Sequence, residues 1–263
     1  MLGTEQKRTD AQIYILGHKP LEYGYIDNKL YTPLQVGAAY KPQFLPLTDN
    51  TGDNIGIWNP VFAESTGLYW IAHNAPETMK YLGNCQYRRR ILFDQDTDFD
   101  KIFNKCQILV SEPLLLGISL YDQYAHCHTK AEIDTIKSVV ADLYPEYMDS
   151  WVEHIEKGNL LLYSTAFVMS REHYVQYAQF FTDIAFETLK RMGLNTPEQV
   201  REYARKAIDA KIKPNNDGKF GEKDPVSYQM QLAGFWQERL ATLFIFHNFN
   251  KIVFVPFKKY EFV

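Results

Sequence analysis

Short apolar runs recur along the first half of the chain, separated by polar stretches rich in turn formers. AQIYILG (Ala11–Gly17) is apolar and β-prone and predicts an opening strand, followed by His18-Lys19-Pro20. Tyr31–Ala39 reads as a second short strand. Leu47–Pro60 carries Asp49, Asn50, Gly52, Asp53, Asn54 and Gly56 and reads as a loop. Asn59-Pro60 predicts an N-cap and first helical position, with the helix running from Val61 to about His73. Lys80–Gln86 reads as a buried strand with Tyr87-Arg88-Arg89-Arg90 at its carboxyl end. Asp94–Asp100 follows as an acidic loop and Lys105–Ser111 as another strand.

The second half has helical periodicity. Thr129 with Glu132 predicts a capping box opening a helix to about Leu143. Further helices are predicted from Pro145 to Ile155, Glu172 to Met192 under a Ser170 cap, Thr196 to about Lys211, and Val226 to His247. Leu160–Ser170 and Lys251–Phe257 read as strands, and Lys213–Asp224 as a mobile active-site flap or surface loop. Strand–helix alternation followed by helices predicts an α/β fold: a mostly parallel central sheet flanked by helices, with a helix-rich C-terminal half.

Composition narrows the partners. The 263 residues have a formal net charge of −4, 46% hydrophobic and 23% charged residues, which excludes a disordered chain. An acidic balance argues against nucleic acid as a partner, because phosphate binding needs a basic face. Cys85, Cys106 and Cys127 make neither a disulfide framework nor a zinc ribbon, and point to a reducing, cytoplasmic setting. No signal-peptide pattern and no stretch of roughly 18 apolar residues is seen, which leaves peripheral membrane association as the mode of contact with a bilayer. Aromatics reach 15%, with 18 Tyr, a composition suited to stacking on sugars or bases and equally to core packing.

Four constellations carry candidate chemistry. Arginines at a strand end are placed to grip phosphate bidentately, or to pair with the acidic loop. Thr51-Gly-Asp-Asn-Ile55 with Asn59 and Glu64 could bind an anion on backbone amides or hold sugar hydroxyls through Asp53 and Asn54; turn and cap chemistry explains Asn59 fully and Asp53 in part. Asp94, Asp96, Asp98 and Asp100 contain the DxD spacing that holds Mg²⁺ or Mn²⁺ on a nucleotide diphosphate, but a surface acidic loop is the favoured reading. Glu238-Arg239, among Phe235, Trp236, Leu240 and Leu243, offers a general base with an orienting cation. His126 and His128 show no metal spacing, and no metal ligands are assigned. GxSxG, P-loop and GxGxxG patterns are absent.

Read in order, these pieces resemble a bacterial family of capsular and exopolysaccharide biosynthesis glycosyltransferases long described as a domain of unknown function. The resemblance rests on His18-Lys19, Tyr31–Ala39, Thr51–Ile55, Asn59, Glu64, Thr66, Tyr69-Trp70, Asn74 and Tyr81-Leu-Gly-Asn-Cys-Gln-Tyr-Arg-Arg89. It extends through Gln123-Tyr124, His128, Tyr144–Tyr147, Phe167–Met169 and Gly234–Leu240. Gln86 stands where the family has histidine, and Arg90 where it has an aromatic. The resemblance implies a GT-A-like single domain over residues 1–263, with a nucleotide-binding part (1–118) and an acceptor-binding part (119–263). It implies transfer of a hexose, of the galactose or galactofuranose class, from a UDP-sugar to a growing polysaccharide or lipid-linked glycan. On that reading His18, Lys19, Asp53, Asn54, Asn59, Arg88 and Arg89 bind the donor nucleotide, the arginines taking the place of a divalent metal. Glu64, Gln86, Tyr124 and His128 bind sugar or acceptor, and Glu238 with Arg239 is catalytic. The rival reading is a non-catalytic carbohydrate-binding or scaffold protein of a polysaccharide assembly system.

Overall fold

The computed structural model describes residues 10–20, 28–163, 166–209 and 224–259. In chain order its first elements are β1 (Ala11–Gly17), β2 (Tyr31–Gln35), α1 (Asn59–Phe62), α2 (Ser65–Asn74), β3 (Tyr81–Gln86), β4 (Arg89–Ile91), α3 (Phe99–Phe103), β5 (Ile108–Ser111), β6 (Leu114–Leu115), α4 (Leu120–Cys127) and α5 (Lys130–Leu143). Then follow α6 (Met148–Ser150), continued by a π-helix over Trp151–Lys157, β7 (Leu160–Leu161), β8 (Phe167–Ser170), α7 (Arg171–Arg191), α8 (Pro197–Asp209), α9 (Pro225–Gln229), α10 (Leu232–Asn248), β9 (Ile252–Val255) and β10 (Phe257–Lys259).

The apolar runs become strands buried on both faces. β1 alternates Ile13 and Ile15 into one layer with Tyr14 and Leu16 into the other. It pairs in parallel with β2 and with β3, Leu16 lying opposite both Leu34 and Gln86. β8 runs antiparallel to β3 and to β5, and β9 runs parallel to β5. In the row β2-β1-β3-β8-β5-β9, five strands therefore point one way and β8 alone opposes them. The sheet is mostly parallel, as the sequence predicts. A β4–β10 ribbon joins it at Gln86, which pairs with Arg89. Gly83 lets β3 and β8 come close: a Cβ there would lie 2.7 Å from the Phe167 carbonyl oxygen.

The larger core packs α7 and α10 on one sheet face. Tyr174, Tyr177, Ala178, Phe181, Ile184, Ala185 and Leu189 form the buried stripe of α7 at helical spacing. Ser170 caps that helix, accepting from His173 N.

Several local expectations change. The helix predicted over 61–73 is two helices, α1 and α2, split at Ala63, whose φ of 49° is incompatible with a continuous helix. Asn59 lies inside α1 rather than capping it: its Nδ2 donates to Ala63 O at 2.7 Å and Thr66 Oγ1 at 3.0 Å, closing the break. The capping box at Thr129 forms only in part: the Thr129 side chain makes no cap bond, while Glu132 accepts from Thr129 and also from Tyr124 OH (2.5 Å) and Tyr203 OH (2.8 Å). A single late helix and a single terminal strand are each divided, into α9 with α10 and β9 with β10. Of the loop predicted over Lys213–Asp224, residues 213–223 lie outside the described residues, and Asp224 caps α9.

Asp49 locks the chain where β2 ends. It is buried and accepts from Gly37 N (2.9 Å), Ala38 N (3.1 Å) and Thr66 Oγ1 (2.5 Å), tying that loop to α2. Asp49→Ala leaves buried donors unpaired and is expected to lower unfolding free energy by ~3 kcal/mol in urea titration; a loss below ~1 kcal/mol would contradict the lock.

Candidate functional site

In a mostly parallel sheet ligands bind beyond the carboxyl ends of the strands. Here β1 and β3 end side by side, at Gly17 and Gln86, and β8 begins at that edge, so Tyr163 is delivered to it as well. Gln86 is the node. Its Nε2 donates to Glu64 Oε1, and its Oε1 accepts from Arg89 Nη1 at 3.0 Å. Arg89 Nη2 donates to Tyr163 OH at 2.7 Å, and the guanidinium carbon stands 4.4 Å from the Tyr163 ring centroid. Glu64 occupies the N-cap position of α2 without a side-chain cap bond, and the helix dipole there favours its carboxylate.

Tyr87 joins this network to β1. Its ring meets His18 edge-on at 5.0 Å, and Arg88, exposed at the turn, lies 5.1 Å from the same ring. Burial pushes the Tyr87 phenol up, while Arg88 and Arg89 draw it down and Glu64 raises it, so all three charges surround that hydroxyl. Arg90 is buried, with Nε donating to Tyr87 O at 3.1 Å.

A cavity of about 400 Å³ opens beside this edge, lined among others by His18, Asn59, Glu64, Tyr40, Lys41 and Arg201. Lys41 Nζ donates to His18 O at 3.2 Å, and burial, then the nearby Lys19 ammonium, holds Lys41 below its ordinary pKa. The far wall comes from α8 and α9 through Pro197, Glu198, Ser227, Met230 and Gln231.

Glu238 and Arg239 form a second cluster on α10. Glu238 is 21% exposed and Arg239 5%, and Arg239 Nη1 donates to Glu238 Oε2 at 3.1 Å. Arg239 Nη2 also reaches Gln123 Oε1, and its guanidinium faces the Tyr124 ring. Ser65 Oγ donates to Gln237 Oε1 at 2.7 Å, which fixes this stretch of α10 next to Glu64. Tyr228 stacks obliquely on Phe235 nearby, and burial first, then Glu238, raises its phenol while Arg239 lowers it.

The remaining predicted residues sit elsewhere. Asn54 is spent on turn chemistry, donating to Gly52 O and accepting from Gly56 N. Asp53 accepts from Tyr69 OH at 3.0 Å and lies outside the cavity lining. Tyr124 is fully buried, donating to Glu132 and accepting from Trp236 Nε1 at 2.7 Å. His128 packs on Tyr124 and Phe235, with Nδ1 unpartnered. Asp100 pairs with Lys80 before β3, at the opposite end of the strand from Gln86. Among the described residues no group of three or more His, Cys, Asp or Glu could hold a metal ion, and no helix is long and apolar enough to cross a membrane. Sequence reading gave no role to Tyr163, Gln123 or Lys41, and none to Tyr87 beyond its place beside the arginines; the position of Tyr163 within the run predicted as a strand, Leu160–Ser170, was the available signal.

Burial first, then Arg239, lowers the His128 pKa to about 3. The folded state thus refuses a proton that the unfolded chain accepts near its ordinary 6.5. This group's contribution is complete above that value and declines on acidification, by up to ~1.4 kcal/mol per pH unit. Urea titrations at pH 7.5 and 5.5 are expected to show a larger loss in the native protein than in His128→Phe; equal losses would contradict a buried neutral imidazole.

No curated protein matches the chain. Among solved structures, the bifunctional glycosyltransferase WbbM in its apo form superposes with a TM-score of 0.68 at 21% sequence identity, covering 96% of this chain and 45% of its own. The chain thus spans less than half the length of that protein, and the likeness establishes a GT-A-like fold. Residues 12–207 match the model of a domain of unknown function, DUF4422, and the chain belongs to that family.

Proposed function

We propose that this chain is a glycosyltransferase that moves a hexose, of the galactose or galactofuranose class, from a UDP-sugar to a polysaccharide or lipid-linked acceptor in capsular or exopolysaccharide synthesis. One observation carries the reading: Arg89, held by Gln86 and Tyr163, stands with Arg88 at the open edge of two parallel strands, next to a cavity lined by His18, Glu64, Lys41 and Arg201. The GT-A-like fold and the description of its structural neighbour as a glycosyltransferase support it.

The chemistry follows from charge. Glycosyl transfer breaks the bond between sugar C1 and the diphosphate oxygen, so negative charge grows on the departing UDP. Arg88 and Arg89 are the counter-charge for it, guanidinium groups matching phosphate oxygens bidentately. His18, Lys19 and Asn59 flank the nucleotide, and Glu64 with the Gln86 amide holds sugar hydroxyls. Glu238 takes the proton from the acceptor hydroxyl as its oxygen bonds to C1, and Arg239 fixes the carboxylate. Tyr124 and His128 support Arg239 and Trp236 from behind.

Arg89→Ala is expected to weaken UDP binding about 10-fold or more in calorimetric titration, the scale of a lost charged hydrogen bond. Unchanged affinity in both Arg88→Ala and Arg89→Ala would remove the arginines from the donor site. Glu238→Gln is expected to lower UDP release from the cognate UDP-sugar and acceptor by ~10²-fold with UDP affinity intact. Near-native turnover would exclude Glu238 as base. Tight UDP-sugar binding with no release from any donor would favour the carbohydrate-binding reading instead.

A further inference from the structure

Thr51–Ile55, the most distinctive loop in the sequence, does not face the cavity at the strand ends. Its last residue, Ile55, instead lines a separate groove of about 640 Å³, together with α2, the end of α5 and α7. Ile55, Tyr69, His73, Tyr144, Asp183 and Phe186 line it, and it shares no lining residue with the first cavity. Its volume falls within the roughly 300–1,000 Å³ typical of ligand sites.

The groove presents a rigid aromatic platform. Tyr69 and His73, one turn apart on α2, stack with ring centroids 4.0 Å apart and planes 17° from parallel. His73 Nδ1 donates to Tyr69 O at 2.8 Å, which fixes the exposed imidazole, and Tyr69 OH donates to Asp53 at 3.0 Å, which fixes the phenol. Opposite, Tyr144 OH donates to Asp183 Oδ2 at 2.8 Å, and Gln179 Nε2 to Asp183 Oδ1 at 2.6 Å. Each planar group is thus oriented before any ligand arrives, which lowers the ordering cost of binding.

We propose that this groove is a second carbohydrate site, one that takes a neutral hexose polymer. Aromatic faces accept the C–H edge of a pyranose ring, while carboxylate and amide groups bridge its hydroxyls. The local charges choose the class. Asp183 and Glu187 line the groove opposite Lys190, and Asp53 lies behind Tyr69; Glu187 pairs with Lys190 and Arg191, and Arg191 also with Asp142, so carboxylates outnumber the cations. Phosphate-bearing or uronate-bearing ligands are repelled there, whereas an uncharged polymer is not. Binding at this groove is independent of the donor assignment; its role, keeping a growing chain on the protein between additions, rests on the proposed transferase function.

Native affinity electrophoresis in gels containing β-galactan or dextran tests it. At least one neutral polymer is expected to retard the protein. His73→Ala is expected to weaken retardation about five-fold, the scale of one aromatic contact. His73→Phe restores it, and UDP affinity stays native in both variants. Arg89→Ala, which alters the cleft, keeps the retardation. Failure of both polymers to retard the protein, stronger retention by polygalacturonate, or retention unaltered in both His73→Ala and Tyr69→Ala would overturn the proposal. Retention lost in Arg89→Ala and kept in His73→Ala would place all glycan binding in the cleft and overturn it equally.

Discussion

A single side-chain amide joins the parts of this molecule that the chemistry needs. Gln86 is the last residue of β3, where the sheet can no longer satisfy its polar groups, and it divides its hydrogen bonds between an acid and a base: Glu64 takes its donor and Arg89 supplies its acceptor. Carboxylate and guanidinium are thereby held apart by one amide rather than collapsed into a direct ion pair. A direct pair would neutralise the arginine; a bridged one holds it through neutral partners, Gln86 and Tyr163. The family histidine expected at this position could titrate, whereas an amide cannot, so in this chain the orientation of Arg89 is decoupled from protonation at the node.

The scaffold around the node is set by burial. β1, β3, β5 and β8 place side chains into both layers, so neither strand register nor direction can slip without exposing a core face. Asp49 secures the turn after β2 to α2, and Ser65 secures the start of α2 to α10. Glu64 stands between those anchors, so its position relative to Glu238 follows from two buried side-chain bonds rather than from the cleft itself.

Strands buried on both faces were legible because their apolar runs leave no alternative, and AQIYILG matches β1 residue for residue. Elements decided by tertiary partners were not. The break at Ala63 depends on Asn59 and Thr66 bonding across it, a pattern that reads as an ordinary cap in one dimension. Glu132 has the spacing of a capping box but is also drawn inward by Tyr124, one helix earlier, and by Tyr203, 71 residues on. β4 is three residues of Arg-Arg-Ile, which no periodicity marks as strand; pairing with β10 makes it one. Of the candidate residues, those at strand ends assembled together, because topology alone brings β1 and β3 to one edge. Asp53 and Asn54 went to another face, because a loop's direction depends on what it docks against, here Asn74 and Tyr69.

The two recesses differ in electrostatic character, and that difference gives the arrangement a logic. The edge of β1 and β3 gathers His18, Lys19, Lys41, Arg88, Arg89 and Arg201 around a few carboxylates, a setting that draws in a diphosphate. The groove between α2 and α7 gathers carboxylates around aromatic faces, a setting that turns a diphosphate away. A sugar nucleotide and a neutral polymer thus need not compete for one surface, even though both carry hexose rings. On this view selectivity comes from the charge that accompanies the sugar, and the sugar itself is read by the hydroxyl partners closest to it.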